Sequence, residues 1–99
     1  MTKIEIEQAV IASFKQVITN SGKSYDGTVD TNTPIMGSES PFDSIDLVTF
    51  IVALEQMIED DWLFSVTLAD DRAMSQTISP FKTIGTISDY IELLIKENQ

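Results

Sequence analysis

The chain has 99 residues, 42% of them hydrophobic and 22% charged, enough apolar matter for one small packed domain and too little length for two. Sixteen Asp and Glu oppose six Lys and Arg, for a net charge of −10. That excess disfavours phosphate backbones and anionic membranes as partners. Cys and His are both absent, which excludes disulfides, thiolate zinc sites, thiol nucleophiles and a Ser-His-Asp triad.

Residues 3–19 are expected to be helical. Thr2 with Glu5 fits a capping box, and Ile4, Ile11, Phe14 and Ile18 fall on one stripe with Val10 and Val17 beside it. Asn20, Ser21 and Gly22 form a stop signal. A long connection over 20–42 follows, rich in Gly, Pro, Ser and Thr, with Ile35, Met36 and Phe42 as its expected anchors to the core.

Residues 44–60 carry the clearest helical pattern, with Asp43 as N-cap and Asp46 at the third helical position. Leu47, Phe50, Ile51, Leu54 and Ile58 form its core stripe. A second apolar cluster of Ile45, Val48 and Val52 lies about 130° away around the same helix. It either lies under the long loop or residues 61–68, or forms an exposed mixed docking surface with Glu55 and Glu59. Ser44 projects between the two faces, on the side of the second cluster.

Trp62, Leu63, Phe64, Val66 and Leu68 are apolar enough to fold back on the core, and a short helix is expected over about 69–75. The last helix is expected from Ile87 to Glu97. Thr86 and Asp89 mark its start, Ile87, Tyr90, Ile91, Leu94 and Ile95 form its buried face, and Lys96 complements the dipole at its end. Three helices, a short fourth and no convincing strand give an all-α bundle. The acids at Asp60, Asp61, Asp70 and Asp71 lack the alternation and central glycine of an EF-hand loop, so no metal is expected there. No apolar run reaches membrane-spanning length and no signal-peptide core is present, so a cytoplasmic location is expected.

Asp and Ser at a helix start are ordinary capping residues, and nothing in the sequence would activate Ser44 as a nucleophile. The run Asp43-Ser44-Ile45-Asp46-Leu47-Val48, followed by Phe50-Ile51 and Ala53-Leu54-Glu55, nevertheless resembles the acyl carrier protein family. The closing segment Thr83-Ile84, Ile87 and Asp89-Tyr90-Ile91 resembles the end of such proteins, and the resemblance spans nearly the whole chain. It implies a single domain over residues 1–99: a four-helix bundle with a long first loop and a short third helix. It further implies 4'-phosphopantetheine attached to Ser44, placed there by a phosphopantetheinyl transferase that reads Asp43. The chain would not itself be an enzyme. It would hold acyl intermediates as thioesters and present them to other enzymes of a fatty-acid, polyketide or related pathway, an aminoacyl or peptidyl cargo being the alternative. A third possibility is an acidic helical interaction module without a prosthetic group.

By the same resemblance Ile45, Asp46, Val48, Val52, Glu55 and Glu59 are the partner-docking residues, and Phe50, Leu54, Phe81 and Ile84 are candidates for lining an acyl pocket. The implied partners are the transferase, an acyl-loading ligase or acyltransferase, and condensing or acyl-transfer enzymes with basic surfaces, all meeting a monomer. The sequence departs from the family at Pro41, where a glycine is usual, in an insertion over Ser38 to Phe42, in Thr49 and Gln56 where carboxylates are common, and in the longer aromatic stretch 59–68. These differences point to a specialised carrier, apart from the housekeeping carrier of fatty-acid synthesis.

Overall fold

A computed structural model of the chain describes residues 3–23, 25, 28–37, 40–62, 68 and 80–97. Three helices stand among them: α1 (Lys3–Asn20), α2 (Ser44–Trp62) and α3 (Ile84–Glu97). No strand occurs among the described residues, only an isolated antiparallel bridge between Pro34 and Thr83. The radius of gyration is 12.7 Å, close to the value of about 13 Å for a folded chain of this length. The short helix expected over 69–75 and the Thr2 cap lie outside the described residues.

Helix α1 packs against both α2 and α3. Its buried face is Ile6, Val10, Phe14, Val17 and Ile18. The expected stripe through Ile4 and Ile11 is therefore displaced: Ile4 is 64% exposed and Ile11 only half-buried. At 100° per residue the buried arc runs from Ile6 to Ile18 and is centred between Val10 and Phe14, so Ile11 and Ile4 fall just beyond its Ile18 edge. The helix ends in a Schellman motif. Gly22 at φ 75° brings its amide to the Thr19 carbonyl (3.1 Å) and the Lys23 amide to the Ile18 carbonyl (3.1 Å).

The first loop earns its place by two kinds of contact. Ile35 and Phe42 are buried as expected, but Met36 is exposed, and the half-buried Tyr25 and Val29 pack on the core instead. The Tyr25 ring meets Phe14 edge-on at 5.9 Å. Phe14, Phe42 and Phe50 form an aromatic knot, with Phe42 lying 4.8 Å from Phe14 and 5.3 Å from Phe50 between ring centroids. This knot lies directly under the start of α2, since Phe42 precedes Ser44 by two residues.

Helix α3 begins three residues earlier than its apolar periodicity suggests. The cap is Thr83, not Thr86 with Asp89. The Thr86 amide donates to Thr83 Oγ1 (3.1 Å) and the Thr83 amide donates to Thr86 Oγ1 (2.9 Å). Two amides remain in the first turn, and the loop takes both: Ile84 donates to the Thr33 carbonyl (3.0 Å) and Gly85 to the Thr31 carbonyl (2.8 Å). All four amides that a helix start leaves without an intrahelical acceptor are thus satisfied. Asp89 is exposed and pairs with Lys3, joining α3 to α1.

Candidate functional site

The start of α2 is built by a reciprocal carboxylate cap. The Asp46 amide donates to Asp43 Oδ1 (2.8 Å), and the Asp43 amide donates to Asp46 Oδ2 (3.3 Å). The Leu47 amide closes the first helical bond on the Asp43 carbonyl (3.0 Å). Lys23, immediately after the Gly22 turn, reaches across from the end of α1. Its ammonium lies 3.2 Å from Asp43 Oδ2 and also contacts Asp46 Oδ2. The Asp46 amide, then Lys23, holds the Asp43 carboxyl below its ordinary value of 3.8. The Asp46 carboxylate foremost, then Asp43, raises the Lys23 ammonium above its ordinary 10.5.

Ser44 is the first residue of this helix and is exposed. Neither its hydroxyl nor its amide has a hydrogen-bond partner among the described residues. The contrast with α3 is informative, because there the loop consumes the amide at the same position. At α2 a hydroxyl and a free N–H stand together at the positive end of a helix, a setting that suits a phosphoryl oxygen. The two carboxylates of the cap oppose an anion there, and Lys23, one charge against two, offsets them in part.

Beyond Ser44, α2 shows two faces. Phe50, Leu54 and Ile58 are buried, with Leu47 and Ile51 half-buried beside them. On the other side Ile45, Val48 and Val52 are 76%, 60% and 52% exposed. Such a row of apolar side chains along one outer face is uncommon for its contiguity rather than for any single member. Glu59 is exposed in the same sector.

Two residues expected in the docking set are placed differently. Asp46 is buried and its carboxylate is engaged by Lys23 and by the cap, so it offers no free charge to a partner. Glu55 is half-buried, and its Oε2 accepts the Leu68 amide at 2.7 Å, tying α2 to the following segment. The candidates for an acyl pocket, Phe50, Leu54, Phe81 and Ile84, are all buried members of the core. The two clefts that flank α1 have other linings.

Sequence reasoning missed Lys23, because its partners lie twenty and more residues away and no periodicity links them. The signal available was its place after a Gly turn, as the base that borders on its N-terminal side a stretch, residues 24–71, with no Lys or Arg. No group of His, Cys, Asp and Glu suited to a metal ion occurs among the described residues, and no helix among them is long and apolar enough to cross a membrane. The chain matches no protein-family model, no curated protein and no solved structure.

Proposed function

We propose that this chain is an acyl carrier protein, an acyl-carrier-like four-helix bundle bearing 4'-phosphopantetheine on Ser44. The observation that carries the proposal is the exposed Ser44 hydroxyl on the first turn of α2, beside an amide without an acceptor among the described residues and in front of the exposed row Ile45, Val48 and Val52. Further support comes from the Asp43-Ser44-Ile45-Asp46-Leu47 run and from the acidic excess of the chain.

In this role Ser44 is a passive acceptor. Its oxygen attacks the phosphorus that carries the pantetheine arm in coenzyme A, the pyrophosphate P–O bond breaks and adenosine 3',5'-bisphosphate leaves; the transferase must bring the base, because no described residue accepts the hydroxyl proton. The arm, when bound, supplies the thiol on which cargo is held as a thioester. The residues of the chain do the rest. Asp43 fixes the helix start and offers an exposed carboxylate next to Ser44. Lys23 offsets part of the charge of Asp43 and Asp46 beside the new phosphodiester. Ile45, Val48 and Val52 give partner enzymes apolar contact, and surplus carboxylates draw basic surfaces towards it. Tethering raises the effective concentration of cargo at each partner.

Co-expression with a broad-specificity phosphopantetheinyl transferase tests the proposal. Intact mass should rise by one arm in the parent chain and stay unchanged in Ser44→Ala. A folded parent chain that never takes the arm would contradict it. The exposed apolar row also suits a helical interaction module without a prosthetic group. That second reading predicts partner binding that survives Ser44→Ala and owes nothing to coenzyme A.

A further inference from the structure

An open cleft of about 480 Å³ runs between the C-terminal half of α1 and the first loop. Phe14 and Ile18 form its floor, the half-buried Tyr25 and Val29 its wall, and the exposed Lys15, Thr19 and Thr28 its rim. The volume lies within the roughly 300–1,000 Å³ typical of small-molecule sites, and the combination of an apolar floor with a few polar groups is typical too. A smaller hollow over Ala12 and Gln16 shares Lys15 and Thr19 with it.

Lys15 is the one charged residue among those that line this cleft. Residues 8–25 contain no Asp or Glu and two Lys, while Asp26 and Asp30 border the loop wall in sequence, in a protein of net charge −10. Lys3, Lys23 and Lys96 are each paired with carboxylates. Lys15 has no ion-pair partner among the described residues and stands at the mouth of the cleft. Three carbonyls at the negative end of α1, one turn on, are already engaged. The carbonyls of Val17, Ile18 and Thr19 accept the amides of Ser21, Lys23 and Gly22, and the Ser21 hydroxyl donates to Ile18 as well. An anion beside Lys15 therefore meets an ammonium and two threonine hydroxyls, with no carboxylate from α1 within two turns of it on the N-terminal side.

We propose that this cleft is a non-covalent binding site for an amphipathic monocarboxylate. The apolar tail lies over Phe14, Ile18, Tyr25 and Val29, and the carboxylate meets Lys15 at the rim. The site is separate from Ser44 and does not depend on an arm being attached there.

The test uses the full chain with Ser44 unmodified, isotope-labelled, titrated with octanoate and with 1-octanol at fixed ionic strength. Amide shifts should saturate and centre on Lys15, Thr19, Tyr25 and Val29, with octanoate binding more tightly than the alcohol. Lys15→Gln should weaken octanoate about three- to fivefold, the worth of one partly exposed charge pair, and leave octanol unchanged. Lys15→Arg should restore the preference. Val29→Trp, filling the cleft, should weaken both ligands while the helical circular dichroism persists. Shifts centred on Ile45, Val48 and Val52, shifts that never saturate, or an octanoate preference untouched by Lys15→Gln would each overturn the proposal.

Discussion

The Gly85 amide donates to the Thr31 carbonyl oxygen at 2.8 Å, and a Cβ added at Gly85 would lie 2.9 Å from that same oxygen and 3.3 Å from the Thr31 Cβ. The contact is backbone on backbone, so a larger residue cannot be accommodated by turning a side chain. Together with the Thr33–Ile84 bond it fastens the first loop to the start of α3. Gly85→Ala should therefore destabilise the chain by about 1–3 kcal/mol. Helix propensity alone would have the opposite sign, favouring Ala by about 1 kcal/mol. Urea unfolding separates the two outcomes, and a stabilised variant would mean that the loop is not seated on α3.

The cap of α3 gives a second check. Thr83→Ala removes the acceptor of the Thr86 amide and should cost about 1 kcal/mol, whereas Thr83→Ser should recover most of the loss. Equal stability of the Ala and Ser variants would return the helix start to Thr86 and Asp89.

Asp43 makes the fold sensitive to acid. Its carboxyl is held below the ordinary value of 3.8 by the Asp46 amide and then by Lys23. A depressed folded value means that the unfolded state takes up a proton first as pH falls. The contribution is complete above the ordinary value and disappears as pH drops through the folded one. Lys23 works in the other direction: its raised value gives stability that is complete below 10.5 and is lost at more alkaline pH. Asp43→Asn should therefore flatten the decline of the urea midpoint between neutral pH and acid below 3.8. A variant declining as steeply as the parent would show that the cap carboxylate is not the titrating group.

The two faces of α2 predict two different kinds of failure. Val48→Glu and Val52→Glu should change stability by no more than about 0.5 kcal/mol, since both side chains are exposed, and should lower turnover by partner enzymes. Leu54→Ala, in the buried face, should cost about 2–5 kcal/mol. Circular dichroism with urea titration distinguishes them. Unfolding caused by Val48→Glu would place that face inside the structure.

Much of this arrangement is legible in the sequence because it is local. The Asp43–Asp46 cap and the Gly22 stop need only near neighbours, and the division of α2 into Phe50–Leu54–Ile58 and Ile45–Val48–Val52 needs only helical geometry. What escapes is non-local or chemically unexpected. Lys23 finds its carboxylates across the loop, and Tyr25 takes the anchoring role expected of Met36 because its ring can reach Phe14. The start of α3 escapes because a threonine hydroxyl at its third position stands in for the carboxylate that a capping box ordinarily shows. The unmatched amide of Ser44 could not be foreseen either, since whether a loop carbonyl covers such a group is decided by the packing of distant segments.

The proposed role requires that the Ser44 oxygen be accessible to a modifying enzyme and accept the phosphopantetheinyl group of coenzyme A. Fragmentation mass spectrometry of the chain after incubation with coenzyme A and a phosphopantetheinyl transferase tests this most directly. One added arm should localise to the peptide containing Asp43-Ser44-Ile45, with none on any other Ser or Thr. A folded chain left unmodified, or an arm carried on a different residue, would contradict it.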